Sequence, residues 1–259
     1  MRGEMLQYGY KPLWDCHMEG KEPFLTGQSE TSKDELEELL LLVRDAYKES
    51  GMDSEMVDLF MKHNRQVLDF VRKIADGEKF NEREREIAEL AAVLHDKRKG
   101  AVDFEEHGSE GGVSARKLLL SLGKSEGLAE SVRLAIERHM GNTGFVGEQA
   151  RKKYGQEFRY PEPETRVGRS VYEADMLTIL TREGVEKLLH IREIESNLRT
   201  EDERVASEKK ISLEEARFAS IRKSVENSLD ILTLETSKRI ADELLDVLYQ
   251  SYPLLRPKE

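Results

Sequence analysis

Apolar side chains recur every three or four residues along most of this chain. Such spacing is typical of helices that bury one face and leave the other in water. Residues 24–160 contain no proline, so no proline interrupts a helix in that stretch. We find no internal repeat and little of the alternating pattern that indicates strands. The pattern predicts an all-α fold.

Capping signals predict where several of these helices begin. Ser32 and Ser212 are each followed three positions later by glutamate, which is the pattern of a capping box. Asn81 with Glu84 is expected to start another helix. Asp53 or Ser54 is expected to open a further helix. The helix that follows Asn81 is strongly apolar and should lead directly into the His-Asp pair at positions 95 and 96.

Polar and glycine-containing stretches predict the connections between helices. Residues 97–112 are expected to form a loop, and residues 113–121 and 126–140 are expected to form helices. Residues 141–163 carry glycines, aromatic residues and two prolines, which favours a long loop. The helix expected after this loop contains Asp175.

Composition narrows the class of protein. Charged residues make up 36% of the chain, which suits helices with ionised outer faces. The formal net charge of -11 disfavours a stable complex with nucleic acid, because phosphate backbones need clustered basic residues. No apolar stretch is long enough to span a membrane, and the first twenty residues lack the apolar core of a secretory signal. The single cysteine, Cys16, cannot form an internal disulfide, so we expect a cytoplasmic protein.

Histidines and aspartates form an ordered series in the middle of the chain. The members of this series are His63, His95, Asp96, His107, His139 and Asp175. Asp96 stands at the end of a strongly apolar helix, and Asp175 lies among small and apolar residues. A carboxylate in such surroundings is costly unless it is paired or bound to a cation. Any one of these residues alone is unremarkable, but the ordered set indicates a metal site built by a helical bundle.

Four segments that carry these residues resemble successive motifs of the HD superfamily of metal-dependent phosphohydrolases. The segments are AAVLHDKRKG, EEHGSEGGVSARKLL, VRLAIERHMG and VYEADMLTIL. The family pattern is a His, then a His-Asp doublet, then a distant Asp, and many members add two histidines before that last Asp. The resemblance covers residues 55–185. It implies a first metal bound by His63, His95, Asp96 and Asp175, with Asp96 bridging to a second metal held by His107 and His139.

The chemistry of these side chains agrees with that implication. Imidazole and carboxylate ligands suit one or two divalent transition metals, such as Mn, Fe, Co, Ni or Zn. A metal activates water, so the predicted reaction is hydrolysis of a phosphate monoester or diester, and the resemblance implies a nucleotide substrate. Asp96 and Lys99 are the expected catalytic residues. Lys99 and Arg98 are expected to bind the substrate phosphate, although the family often has glycine where Arg98 stands.

Two alternatives remain open at this point. Some relatives of the superfamily use a di-iron pair for oxygen-dependent cleavage, and the six His and Asp side chains have the ligand types for one. A catalytically silent regulator that binds metal or nucleotide is the other alternative. Iron content with oxygen consumption identifies the first, and tight nucleotide binding without turnover identifies the second.

The predicted organisation has three parts. Residues 1–50 form an N-terminal segment and helix, and residues 51–185 form the HD-type metal-binding catalytic core. Residues 186–259 form charged C-terminal helices that pack on the core or provide an oligomer face. The second arrangement makes a homodimer one of the expected states.

Overall fold

The computed structural model describes residues 31–142 and 144–257. The first thirty residues of the predicted N-terminal part (residues 1–50), including Cys16, lie outside the described residues. The described residues form eleven α-helices and a short 3-10 helix, and they contain no named strand. The helices are α1 (Lys33–Glu49), α2 (Ser54–Gly77), α3 (Glu82–Leu94), α4 (His107–Ser121), α5 (Glu126–Glu137), α6 (Gly144–Tyr154), α7 (Arg166–Ile179), α8 (Arg182–Ile194), α9 (Ser196–Lys209), α10 (Leu213–Ile231) and α11 (Glu235–Ser251), followed by the 3-10 turn Pro253–Leu255. The all-α prediction is confirmed.

Side-chain caps begin helices where the sequence predicts them. Asn81 and Ser212 each accept a hydrogen bond from the backbone N–H three residues later, and the glutamate there accepts one from the backbone N–H of the cap. Ser32 supplies the first of these two bonds to α1. Asp53, rather than Ser54, caps α2. These bonds satisfy backbone donors that the first turn of a helix leaves without partners.

Helix α4 begins at His107, well before the predicted start at residue 113, so the predicted loop over 97–112 is wrong in its second half. Three glycines in this turn have low intrinsic helix propensity, which explains the error. Tertiary packing requires two of them. A Cβ atom on Gly111 would lie 3.1 Å from the backbone oxygen of His95, and one on Gly112 would lie 2.8 Å from that of Arg133. Glycine therefore lets α4 approach the end of α3 and the body of α5.

The predicted loop over residues 141–163 is wrong in its first half, which contains α6. Ala150 on this helix is fully buried and packs with Met140, Tyr160 and Phe158 in a small apolar cluster apart from the main core. One alanine and a few aromatic side chains make too weak an amphipathic pattern for a helix to be recognised in the sequence. The residues that follow α6 up to Thr165 form no further helix.

A single large apolar core joins α1 to α5, α7, α8, α10 and α11. Leu40 of α1, Leu94 of α3 and Val171 of α7 are fully buried in it, and so is Val225 of α10. The C-terminal helices therefore share the core of the helices that carry the predicted site. None of the described helices combines the length and the apolar character that a membrane crossing requires.

A buried carboxylate fastens helix α7 to the turn between α10 and α11. Glu173 is fully buried, and its carboxylate accepts hydrogen bonds from the backbone N–H of Thr233 (2.8 Å), the hydroxyl of Thr233 (2.7 Å) and the backbone N–H of Leu234 (3.2 Å). Asp175 lies on the same helix, two residues further on. The position of Asp175 is thus tied to the C-terminal helices.

We expect Glu173→Ala to lower the free energy of unfolding by about 1–3 kcal/mol, because it removes a fully buried carboxylate that accepts hydrogen bonds from two backbone N–H groups. Urea denaturation followed by circular dichroism measures this loss. Glu38→Ala, on the exposed face of α1, serves as the matched control and should change stability by less than about 0.5 kcal/mol. Equal losses in the two variants would contradict a specific role for Glu173.

Candidate metal centre

The six predicted ligands come together at one place in the folded chain. His63 projects from the middle of α2, and His95 and Asp96 lie at the end of α3. His107 is the first residue of α4, His139 follows the end of α5, and Asp175 lies on α7. Five helices thus contribute to the cluster. All four histidines and Asp96 are buried, and the side chain of Asp175 is 19% exposed.

One half of the cluster contains His63, His95, Asp96 and Asp175. The Nε2 atoms of His63 and His95 lie 3.4 Å apart, and each lies 3.5 Å from Oδ2 of Asp96. Asp175 Oδ1 lies 3.1 Å from Nε2 of His63. Ligand atoms that surround one transition metal at about 2.1 Å stand roughly 3.0–3.5 Å from one another, so the separations among His63, His95 and Asp96 fit a metal ion. Asp175 contacts this trio through His63 and does not belong to the compact ligand group itself.

The other half of the cluster contains His107 and His139, which face the second oxygen of the same carboxylate. Their Nε2 atoms lie 3.3 Å and 3.9 Å from Oδ1 of Asp96. The two trios His63–His95–Asp96 and Asp96–His107–His139 each hold their ligand atoms within 4.8 Å of one another. The two oxygens of Asp96 therefore face two separate pairs of histidines.

Backbone carbonyls fix the tautomer of three of these histidines. The Nδ1–H groups of His95, His107 and His139 each donate to the backbone oxygen of the residue three positions earlier, at 2.8 Å in His95. A carbonyl oxygen only accepts, so the proton of each neutral ring is on Nδ1. Each Nε2 then presents a lone pair to the cluster, which is the form in which imidazole binds a metal.

Both carboxylates of the cluster are ionised at neutral pH. Burial raises the pKa of Asp96. The ammonium of Lys99, which lies 2.7 Å from Oδ2, and the adjacent histidines outweigh this effect, so the pKa lies well below its usual value. Burial also raises the pKa of Asp175, and the hydrogen bond with His63 outweighs that effect and leaves the pKa strongly lowered. Two negative charges thus lie in a largely buried site, which favours the binding of a cation.

Burial keeps two of the histidines neutral. It lowers the pKa of His95, and together with the neighbouring His95 and His107 it lowers the pKa of His139 to about 3. A neutral imidazole needs no deprotonation before it binds a metal, because its lone pair is already available. The protonation states of the cluster therefore match those of a metal-ligand set.

Basic residues lie beside the cluster. The ammonium of Lys99 lies over the rings of Phe60 and Phe104, at 5.0 Å and 5.4 Å from their centroids, in addition to its contact with Asp96. Arg98 is partly exposed in the same turn, and within the described part of the chain it forms no ion pair with the six clustered side chains. Lys99 is thus in direct contact with the cluster and Arg98 is not.

One further basic residue near the cluster is not apparent from the sequence. Lys187 of α8 lines a small cleft together with His63 and Gln66, and its ammonium lies 5.9 Å from the centroid of Phe60. Burial, and secondarily the charge of Lys99, lowers the pKa of Lys187 to about 8. Helix α8 belongs to a highly charged, weakly periodic stretch, so no local pattern distinguishes Lys187 from a lysine on a solvated face.

Comparison with family models gives a match to the HD domain over residues 60–180. The chain contains an HD domain. The HD resemblance of this segment, which the motifs predicted, is confirmed, and all six clustered residues lie inside it. A search of curated proteins and a search of solved structures returned no match.

HD domains are the defining domain of a superfamily of metal-dependent phosphohydrolases. The cluster of histidines and aspartates is compatible with the binding of divalent metal. Helices α8 to α11 follow the HD domain in the sequence, so Lys187 reaches the cluster from outside the matched segment.

The lowered pKa of His139 predicts how the stability of the metal-free protein depends on pH. The unfolded chain takes up protons on His95 and His139 near pH 6.5, whereas the folded chain resists protonation there until much lower pH. Stability is therefore lost as pH falls below about 6.5, by roughly 1–3 kcal/mol between pH 7.5 and pH 5.5. The carboxylates remain ionised in both states over most of this window.

Urea unfolding of chelator-treated protein at several pH values measures this effect. His139→Gln should reduce the fall in stability by about 1 kcal/mol. Identical pH slopes in the wild type and His139→Gln would show that burial does not keep His139 neutral.

Proposed function

We propose that this chain is a metal-dependent phosphohydrolase that cleaves a phosphate monoester or diester, with a nucleotide as the expected class of substrate. The observation that carries the proposal is the arrangement around Asp96, whose two carboxylate oxygens face separate pairs of histidines. A single carboxylate with ligands on both sides is suited to bridging two metal ions. The match to the HD domain supports the same chemistry.

The proposal assigns the clustered residues to two metal positions. His63, His95, Asp96 and Asp175 would hold the first metal, and Asp96, His107 and His139 would hold the second. When bound, the metal supplies a Lewis acid that lowers the pKa of a coordinated water and offsets charge on the phosphoryl oxygens. The buried cluster keeps the surrounding medium poor in water, which strengthens the electrostatic contacts that the protein makes there.

Lys99 is assigned to the substrate phosphate. Its ammonium lies 2.7 Å from Oδ2 of Asp96 and is flanked by two aromatic rings, so it is held at the edge of the cluster. An ammonium at that position can donate to a phosphoryl oxygen and stabilise the negative charge that develops there. Arg98, partly exposed in the same turn, is assigned a weaker contact with the outer part of the substrate.

We expect Asp96→Ala to abolish both metal binding and turnover, because it removes the carboxylate shared by the two proposed positions. Metal content after dialysis, measured by inductively coupled plasma mass spectrometry, should fall to background. Hydrolysis of a panel of phosphomonoesters, phosphodiesters and nucleotides should fall by at least about 1000-fold. The circular dichroism spectrum should keep its helical signal.

The matched control is Asp58→Ala, which removes an exposed aspartate from α2, the helix that carries His63. This variant should retain metal and activity. Normal turnover in Asp96→Ala would remove the proposed centre. A wild type that consumes oxygen with bound iron, or one that binds nucleotide without cleaving any member of the panel, would instead support one of the two alternative functions.

We expect Lys99→Ala to weaken catalysis while metal binding is preserved. Removal of the ammonium takes away the proposed phosphate contact. It also removes a group that competes with the metal for Oδ2 of Asp96. kcat/KM should fall about 10- to 100-fold, which corresponds to roughly 1.4–2.7 kcal/mol of transition-state stabilisation. Lys99→Arg keeps the positive charge and should retain more activity. Loss of metal from Lys99→Ala would mean that Lys99 acts by holding the ligands in place.

A further inference from the structure

Lys187 is a partly buried cation that feels the negative charges of Asp175 and Asp96 without contacting either carboxylate. Within the described part of the chain, no carboxylate lies within ion-pair distance of its ammonium. The acidic residues closest to it in sequence have other partners. Glu186 pairs with Arg182 at 2.8 Å, and Glu183 accepts a hydrogen bond from Gln66. The ammonium is therefore available to an anion from outside the protein.

Keeping this cation unpaired is unfavourable in the metal-free protein. Burial and the nearby charge of Lys99 lower the pKa of Lys187 to about 8, and they outweigh the opposite effect of the Asp175 and Asp96 carboxylates. A buried or half-buried ammonium is usually paired, because transfer from water costs free energy. A bound anion would supply the missing partner.

The geometry places this cation beside the candidate metal centre. Lys187 and Lys99 both lie near the ring of Phe60, at 5.9 Å and 5.0 Å from its centroid. Lys99 contacts Asp96, and Lys187 lines the same cleft as His63. The two ammonium groups thus lie near one aromatic ring at the edge of the clustered ligands.

The C-terminal helices hold the helix that carries Lys187. Arg192 of α8 pairs with the fully buried carboxylate of Asp202 of α9, with Nε at 3.0 Å from Oδ2. The hydroxyl of Ser220 of α10 donates to the same carboxylate at 3.3 Å. These contacts fix α8 through residues that lie outside the HD domain and away from its ligands.

We propose that Lys187 binds the phosphate of the substrate together with Lys99, and that the site takes a dianionic phosphate monoester in preference to a monoanionic diester. The proposal rests on the phosphohydrolase function above and makes it more specific. Two ammonium groups from separate parts of the chain would each donate to phosphate oxygens. Lys187 would then pair with the second negative charge of a monoester, which a diester lacks.

The test measures the binding of inorganic phosphate to manganese-loaded protein by isothermal titration calorimetry, with dimethyl phosphate as the monoanionic probe. Wild type should bind inorganic phosphate more tightly than dimethyl phosphate. Lys187→Gln should weaken phosphate binding about tenfold and leave dimethyl phosphate binding nearly unchanged. It should also raise KM for a phosphomonoester more than it lowers kcat, while manganese content and Tm stay at wild-type values.

Two further variants separate a specific contact from a change in net charge. Lys187→Arg should restore most of the phosphate affinity. Lys117→Gln, which removes an exposed lysine from α4, should change it by less than twofold. Unchanged phosphate affinity in Lys187→Gln with manganese retained would overturn the role of Lys187 and leave the phosphohydrolase function intact. A wild type that binds neither manganese nor phosphate would contradict both proposals.

Discussion

The carboxylate of Asp96 is almost fully buried, and the local structure around it follows from that constraint. A buried negative charge is tolerated only where donors or cations surround it. The ammonium of Lys99 supplies one such cation. The Nδ1–H bonds of three imidazoles to backbone carbonyls turn the Nε2 lone pairs of these rings toward the same carboxylate, where a divalent metal would satisfy lone pairs and carboxylate together.

The C-terminal helices contribute to this region although they follow the HD domain in the sequence. The hydrogen bonds of Glu173 with the turn before α11 hold helix α7, which carries Asp175. The buried Arg192–Asp202 pair holds helix α8, which carries Lys187. Helix α7 therefore carries a proposed metal ligand, and helix α8 carries a proposed phosphate contact. On the proposed function, the HD domain would supply the metal ligands, and residues beyond it would adjust which anion the site accepts.

The sequence predicted the fold class, several helix starts and the six residues that converge. Apolar periodicity and side-chain caps such as Asn81 act locally, so the sequence pattern contains them directly. The early start of α4 depends on contacts of Gly111 and Gly112 with distant backbone, which local propensity does not encode. Lys187 was missed for a related reason, since its significance comes from a cleft formed by two helices far apart in sequence. The metal-binding role of the six residues stays a prediction.

Anomalous diffraction from crystals of the manganese-loaded protein tests the central claim most directly. The account predicts a manganese peak within about 2.3 Å of ligand atoms from His63, His95, Asp96 and Asp175, and at high occupancy a second peak on the side of His107 and His139. Asp96 would then contact metal through both oxygens. Manganese found only at surface carboxylates, with Asp96 still paired to Lys99 and the histidines in contact only with protein groups, would contradict the account.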